Sequence, residues 1–176
     1  MKTGLNRNAA IELLRSRGDI RAGEFRSPIG RICVLGSDES LVCVMFVRGR
    51  SDEQIAASFK KKSTTQVAAA LMFLENYFKK TAAPLPEMDL SGFTEKERAV
   101  YRALIKIPFG KTISYGALAS RAGITRGARF AGNAMAKNSF PILIPCHRVI
   151  QSSGAMGYYT GGVATKESLL RHEGSL

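Results

Sequence analysis

SYGALASRAGITRGARFAGNAMAKN, residues 114–138, reads as two short helices joined by a tight turn. Ser114 is an N-cap residue, with a hydroxyl to accept from a first-turn N–H, and Gly123 is the C′ residue that ends the first helix. Leu118 and Ala122 face inward. ITRG (124–127) makes the turn, and ARFAGNAMAKN (128–138) is a second helix ended by Asn138. Helix, short turn, helix is the helix-turn-helix pattern. The second helix carries Ala131, Gly132, Ala134, Met135 and Ala136, which have little capacity to read base edges. Such a face suits either a tightly packed interior helix or close approach to a narrow groove, with Arg129 as the one long side chain near its N-terminal end. An arginine there could fill the gap that an extruded nucleotide leaves in a base stack.

The surroundings of this motif are basic. The chain has 176 residues and a formal charge of +12. Residues 1–90 hold 14 Lys and Arg against 10 Asp and Glu, whereas residues 91–176 hold 12 against 4. From Arg98 to Lys166 there is no acid, and ten Lys or Arg occur. An acid-free span of that length does not repel phosphates, so nucleic-acid binding is expected.

Just upstream, TEKERAVYRALIKI (94–107) opens with a capping box, Thr94 and Glu97, and shows one apolar face of Val100, Leu104 and Ile107 before PFG ends the helix. Just downstream, PILIPCHRVI (141–150) reads as a short apolar strand that delivers Cys146 beside His147. Neighbours on an extended chain point to opposite sides, so the imidazole cannot easily reach the thiol directly. A bridging water could link them. A free thiol is only a few per cent thiolate at neutral pH and needs a base or a cation. The imidazole in turn needs an acceptor on its other nitrogen. Four acids follow residue 90, Glu95, Glu97, Glu167 and Glu173, and Glu173 at the end of TKESLLRHEG is the preferred partner.

The first half reads differently. Residues 6–17 form a short helix with Ile11, Leu13 and Leu14 on its apolar side; EFRSPIGRICVLGSDESLVCVMFVRG (24–49) is a β-hairpin about GSDES; residues 51–62 and 64–80 carry helical periodicity. TAAPLPEMDLSG (81–92), with prolines and no periodicity, is the linker candidate. The fold class expected is α/β: an N-terminal α/β domain over 1–90, with a hairpin-containing sheet and helices, and a mainly helical domain over 91–176 with the helix-turn-helix. Hydrophobic residues at 45% suffice for a core. Cys33, Cys43 and Cys146 are too few for a disulfide framework, and Cys33 and Cys43 read as small buried hydrophobes. No CxxC or HxxxH spacing accompanies His147 and His172, so no metal is expected. No run is long enough to span a membrane and the start lacks a signal-peptide core, so an intracellular protein is expected.

Pro145-Cys146-His147-Arg148-Val149 resembles the active-site signature of the O6-alkylguanine-DNA alkyltransferases, which repair O6-methylguanine. IPFGKTISYGALA, NSFPILIPCHRVI, SSGAMGYYTGG and KESLLRHEG follow in that family's order and spacing, from about Phe93 to Gly174, and SPIGRICVLGSDESLVCVMFV resembles the family's smaller domain more weakly. The resemblance implies a C-terminal DNA-binding and alkyltransferase domain that moves an alkyl group from guanine O6 to Cys146, irreversibly and once per molecule. It implies a relay of Glu173, His147, water and Cys146, with Tyr115 protonating guanine N3. The carbonyls of Cys146 and Val149 would accept from the guanine amine, Thr160 would contact O6, and Met135, Pro141 and Tyr159 would wall the pocket. Minor-groove binding would flip the nucleotide, Arg129 would fill the stack, Tyr115, Thr94 and Ser152 would contact DNA, and Asn138 would be the hinge.

The implied partner is double-stranded DNA containing O6-alkylguanine. The implied protein is a monomer without cofactor, working in cytoplasm or nucleoid if prokaryotic and in the nucleus if eukaryotic. Two departures stand out. ARFAGNAM replaces the usual RAVGGAM, placing Phe130 and Asn133 beside Arg129, and the zinc ligands of some members have no counterpart. Two other readings compete: a thiol hydrolase built on Cys, His and Glu, and a non-catalytic lesion binder.

Overall fold

Three antiparallel strands, not one hairpin, form along residues 21–47. They are β1 (Arg21–Ser27), β2 (Gly30–Gly36) and β3 (Leu41–Val47), in that order in the sheet. The computed structural model describes Leu14 and residues 16–176. The helix expected over 6–17, including Ile11 and Leu13, therefore lies almost wholly outside the described residues, although Leu14 and Ser16 are helical. The extra turn is SPIG. Gly30 sits at φ +113, a conformation that L side chains rarely adopt, and the Ser27 hydroxyl donates to the Gly30 carbonyl at 2.6 Å.

β2 is the central strand, and Ile32, Cys33, Val34 and Leu35 are all fully buried, because a helix covers each face. α1 (Arg50–Ala57) brings Ile55 and Ala56 onto the face of Cys33, Leu35 and Met45, with Phe59 just beyond it. α2 (Thr65–Phe78) covers the other face. It lies so near that a Cβ on Gly23, which pairs with Val34, would meet Val67 Cγ1 at 2.6 Å. Cys33 is buried, whereas Cys43 is only half-buried. Residues 81–92 are not a loose tether. The Leu41 N–H donates to Glu87 O and the Asp89 N–H to Leu41 O, both at 2.8 Å, which pins 87–89 beside β3.

The chain separates into two compact units, the first ending at Gly92 and the second spanning Phe93–Leu176. In the second unit, α3 (Glu95–Ile105) starts at a full capping box between Thr94 and Glu97 and buries Val100, Tyr101 and Leu104. α4 (Tyr115–Arg121) is capped by Ser114, whose hydroxyl accepts from the Ala117 N–H at 3.2 Å. α5 (Ala128–Ala136) follows after the turn and completes the helix-turn-helix. It ends with Lys137 as C-cap, so Asn138 lies beyond the helix rather than inside it. β4 (Ile113–Ser114) pairs in parallel with β5 (Val149–Ile150), and α6 (Val163–Glu173) closes on Gly174. The architecture is α/β, a sheet with helices followed by a mainly helical unit. Among the described residues no helix is long and apolar enough to cross a membrane.

Ala131 and Ala134 face inward from α5, and the Tyr101 hydroxyl donates to the Ala134 carbonyl at 2.8 Å. Small residues on this side let α5 come close to α3. Gly132, Asn133 and Ala136 line the other side, where a cavity opens. The packed-helix reading of the small residues holds for the Ala131 and Ala134 edge.

Candidate active site

Residues 141–145 do not form the short strand expected. Pro141 and Pro145 lack an N–H and cannot continue a ladder. The segment turns instead. Ile142 takes φ +74, and the Ile144 N–H donates to Phe140 O at 2.8 Å. The Cys146 N–H donates to Ile144 O at 2.7 Å across Pro145, whose φ −79 and ψ 62 make an inverse γ-turn. Asn138 holds this turn from the end of α5. Its Oδ1 accepts from the Phe140 N–H at 2.9 Å, and its Nδ2 donates to Ile144 O at 2.9 Å and to Cys146 Sγ at 3.0 Å. The residue expected as a hinge thus also touches the thiol.

Cys146 opens a 3₁₀ turn, Cys146–Arg148, which sends its neighbours to α6. Glu173, in the last turn of α6, accepts from His147 Nε2 at 2.7 Å, from Arg148 Nε and Nη2 at 2.9 Å each, and from the Gly110 N–H at 3.0 Å. The other acids of this unit are engaged elsewhere. Glu95 pairs with Arg98 and Arg102, Glu97 with Lys137, and Glu167 with Arg171.

An ionised carboxylate only accepts, so the His147 proton sits on Nε2 and the lone pair on Nδ1. Burial would raise the Glu173 carboxyl, but the bonds from His147 and Arg148 hold it well below the usual carboxylate range. Burial lowers the His147 pKa against the pull of Glu173, so the ring rests neutral at physiological pH. Burial pushes the Cys146 thiol up to about 11, although the Asn138 bond and the charge of Lys166 act in the other direction. Lys166 is itself fully buried, its ammonium donating to the carbonyls of Val149 and Met156, and burial brings it down to about 8.

Cys146 lines a cavity of about 260 Å³ together with Tyr115, Met135, Tyr159 and Thr160. Gly132, Asn133, Ala136 and Tyr158 complete the wall, and none of these had been expected to form the pocket. Tyr115 is half-buried at the start of α4, and burial, with the nearby Cys146, raises its phenol pKa. A Cβ on Gly157 (φ +65) would stand 2.9 Å from the Tyr115 hydroxyl, so only glycine lets the 151–162 loop lie against that ring.

The remaining expected residues lie off the cavity wall. Pro141 is buried within the turn, and Val149 is fully buried with its carbonyl already accepting from Lys166. Thr94 is exposed, and its hydroxyl is bonded to Glu97. Arg129 projects from an exposed position in the first turn of α5, with Phe130 half-buried beside it. Ser152 is exposed in the turn after β5.

Residues 95–175 match the family described as 6-O-methylguanine DNA methyltransferase, DNA binding domain. The methylated-DNA–protein-cysteine methyltransferase of Methanosarcina acetivorans is 36% identical over 154 residues, 86% of this chain and 96% of its own length. That of Cricetulus griseus is 36% identical over 167 residues, 85% of this chain and 80% of its own. The chain belongs to the methylated-DNA–protein-cysteine methyltransferase family. Among solved structures, Mycobacterium tuberculosis OGT in complex with DNA is similar at a TM-score of 0.73 and 31% identity, over 89% of this chain and 92% of that one.

In this member of the methyltransferase family, two charged residues behind the cavity escaped sequence reasoning as well. Arg148 was visible as part of the signature, but nothing in the sequence said that it would be buried on Glu173. Lys166 was visible only as the last residue of the acid-free span. Its signal would have been a lysine on the inward side of α6, between Gly162 and Leu169, where an apolar residue would ordinarily stand.

Proposed function

We propose that this protein repairs DNA by transferring an alkyl group from guanine O6 to Cys146, once per molecule. The observation that carries the reading is one thiol at the wall of a pocket, followed in the chain by a neutral histidine held on a charge-anchored glutamate. With a pKa near 11, holding the thiol ionised at neutral pH would cost about 5 kcal/mol. The resting form is therefore the thiol, and the proton leaves as substrate reacts. A water between Sγ and Nδ1 carries that proton to His147, and Glu173 stabilises the imidazolium through Nε2.

Sulfur then attacks the alkyl carbon, the S–C bond forms, and the C–O6 bond breaks. Guanine departs with its charge relieved by a proton from the Tyr115 hydroxyl to N3. The proton held on His147 restores Tyr115 through solvent, so the balance is thiol plus O6-alkylguanine giving thioether plus guanine. Thr160 and the main chain at Cys146 orient the base, and Met135 and Tyr159 shape its surroundings. The target reaches the pocket by flipping, with α5 in the minor groove, Arg129 in the vacated stack, and Thr94, Tyr115 and Ser152 on the backbone. No group lining the pocket hydrolyses a thioether, so the reaction is stoichiometric.

Intact-protein mass spectrometry after incubation with duplex DNA containing O6-methylguanine tests this directly. One methyl per chain on Cys146, followed by no further reaction, is the expected result. Continued turnover would support the thiol hydrolase, and binding without an adduct the lesion binder.

A further inference from the structure

A second concavity, of about 400 Å³, lies between α3 and α4 in the same unit, away from Cys146. Its wall is made of Ala99, Arg102, Ala103, Lys106, Arg121 and Ala122. Every charged side chain in that wall is a cation, and every other residue is alanine. The alanines keep the floor low, so a ligand can settle between the three long side chains. Arg102 is paired with Glu95 at 2.5 Å, whereas no carboxylate among the described residues forms a salt bridge to Lys106 or Arg121.

Both helices end here, and each C-terminus adds about half a negative charge. The two helix ends and Glu95 together still leave the groove with a net charge of about +1. The groove is also continuous in sequence with the helix-turn-helix. Arg121 ends α4, Arg126 stands exposed in the turn, and Arg129 lies in the first turn of α5, so exposed cations recur along the chain from the groove to the α5 N-terminus. Three donor cations over an alanine floor match the oxygens of a phosphodiester, the commonest hydrogen-bond target of a DNA-binding surface.

We propose that the α3–α4 groove is a backbone-phosphate site for the DNA that flanks the lesion, held chiefly by Lys106 and Arg121. The proposal rests on the reading of this unit as the DNA-binding one, but not on alkyl transfer. It assigns the groove to positioning, so it adds affinity without sequence preference and does not touch the reaction at Cys146.

The test uses undamaged duplex DNA and the full chain. Lys106→Gln with Arg121→Gln is compared with the wild type and with Lys60→Gln/Lys62→Gln, which removes the same charge from exposed positions in the first unit. Kd is measured from low to moderate salt, and reaction with free O6-benzylguanine is measured in parallel. Removing two phosphate contacts flattens the slope of log K against log salt by about 1.8 and weakens binding at low salt at least tenfold. The control pair should leave the slope near the wild-type value, and the free base should react at an unchanged rate in all three. An unchanged slope in the groove variant, or the same loss in the control, overturns the proposal. Amide NMR shifts at Ala99, Ala103 and Ala122 give a second readout. Shifts with inorganic phosphate but none with duplex would also overturn it, since the site would then take the free ion only. Absence of any adduct from O6-benzylguanine in the wild type would defeat the alkyl-transfer reading alone.

Discussion

Glu173→Gln keeps the side chain's shape and removes its charge, and its consequences can be worked from the contacts. The carboxylate receives bonds from two nitrogens of Arg148, from His147 and from the Gly110 N–H. A glutamine has one oxygen to offer, and its NH₂ would face donors. The Arg148 guanidinium, whose side chain is only 9% exposed, would become a buried cation without its counter-charge. Removing one partner of a buried ion pair costs about 3–5 kcal/mol. Glu173→Gln is therefore expected to lose about 4 kcal/mol in urea unfolding and to lose alkyl transfer, because His147 loses its anchor.

Arg148→Met removes the cation and its 2.7 Å bond to the Ile107 carbonyl as well. The double variant should then cost about 2–3 kcal/mol less than the two single losses together, since no charge is left stranded. The pH dependence follows the same group. Its folded pKa lies below the unfolded value near 4.3, so its contribution is complete above about pH 5 and is lost as pH falls below that. Wild-type stability should drop as pH falls below 5, and the drop should be shallower in Glu173→Gln, the remainder coming from other lowered carboxylates such as Glu97 and Asp89. A single-variant loss under about 1 kcal/mol, or strict additivity in the double, would refute the claim that Glu173 anchors both neighbours.

Other outcomes follow from the same geometry. Alkylation of Cys146 by iodoacetamide should rise about tenfold per pH unit from 7 to 10, as a thiol pushed to about 11 requires; a plateau at neutral pH would contradict a protonated resting state. Asn138→Ala leaves the Phe140 N–H and the Ile144 carbonyl buried without their side-chain partner and should cost about 3 kcal/mol, with transfer to Cys146 slowed for free base and duplex alike. Arg129→Ala should slow repair of duplex DNA more than reaction with free O6-benzylguanine, measured as rates of adduct formation; equal losses would rule out a role in flipping.

Local chemistry made much of the second unit legible. Thr94 with Glu97, and Ser114 ahead of Tyr115, are capping signals that act within one helical turn, and the observed helices begin where they stand. Glu173 stood out as the partner for His147 because few acids were available, and the pair is 2.7 Å apart. The errors also have local causes. SPIG combines proline and glycine between β-rich runs and was readable as a turn, but GSDES dominated the reading of that stretch. Apolar residues at 142–144 read as a strand, yet the flanking prolines removed the donors that a strand would need.

Composition and short-range pattern decided that this chain builds an α/β protein with a basic helix-turn-helix and one thiol beside an imidazole. They act over a few residues, where capping, periodicity and proline geometry operate. Folding in three dimensions decided that Asn138 touches Sγ, that Arg148 shares Glu173 with His147, and that Lys166 is buried on the carbonyls of Val149 and Met156. Those choices depend on how far each group is removed from water and which charge meets it there. Burial and long-range pairing are properties of the packed chain, and burial is what pushes the Cys146 thiol up to about 11.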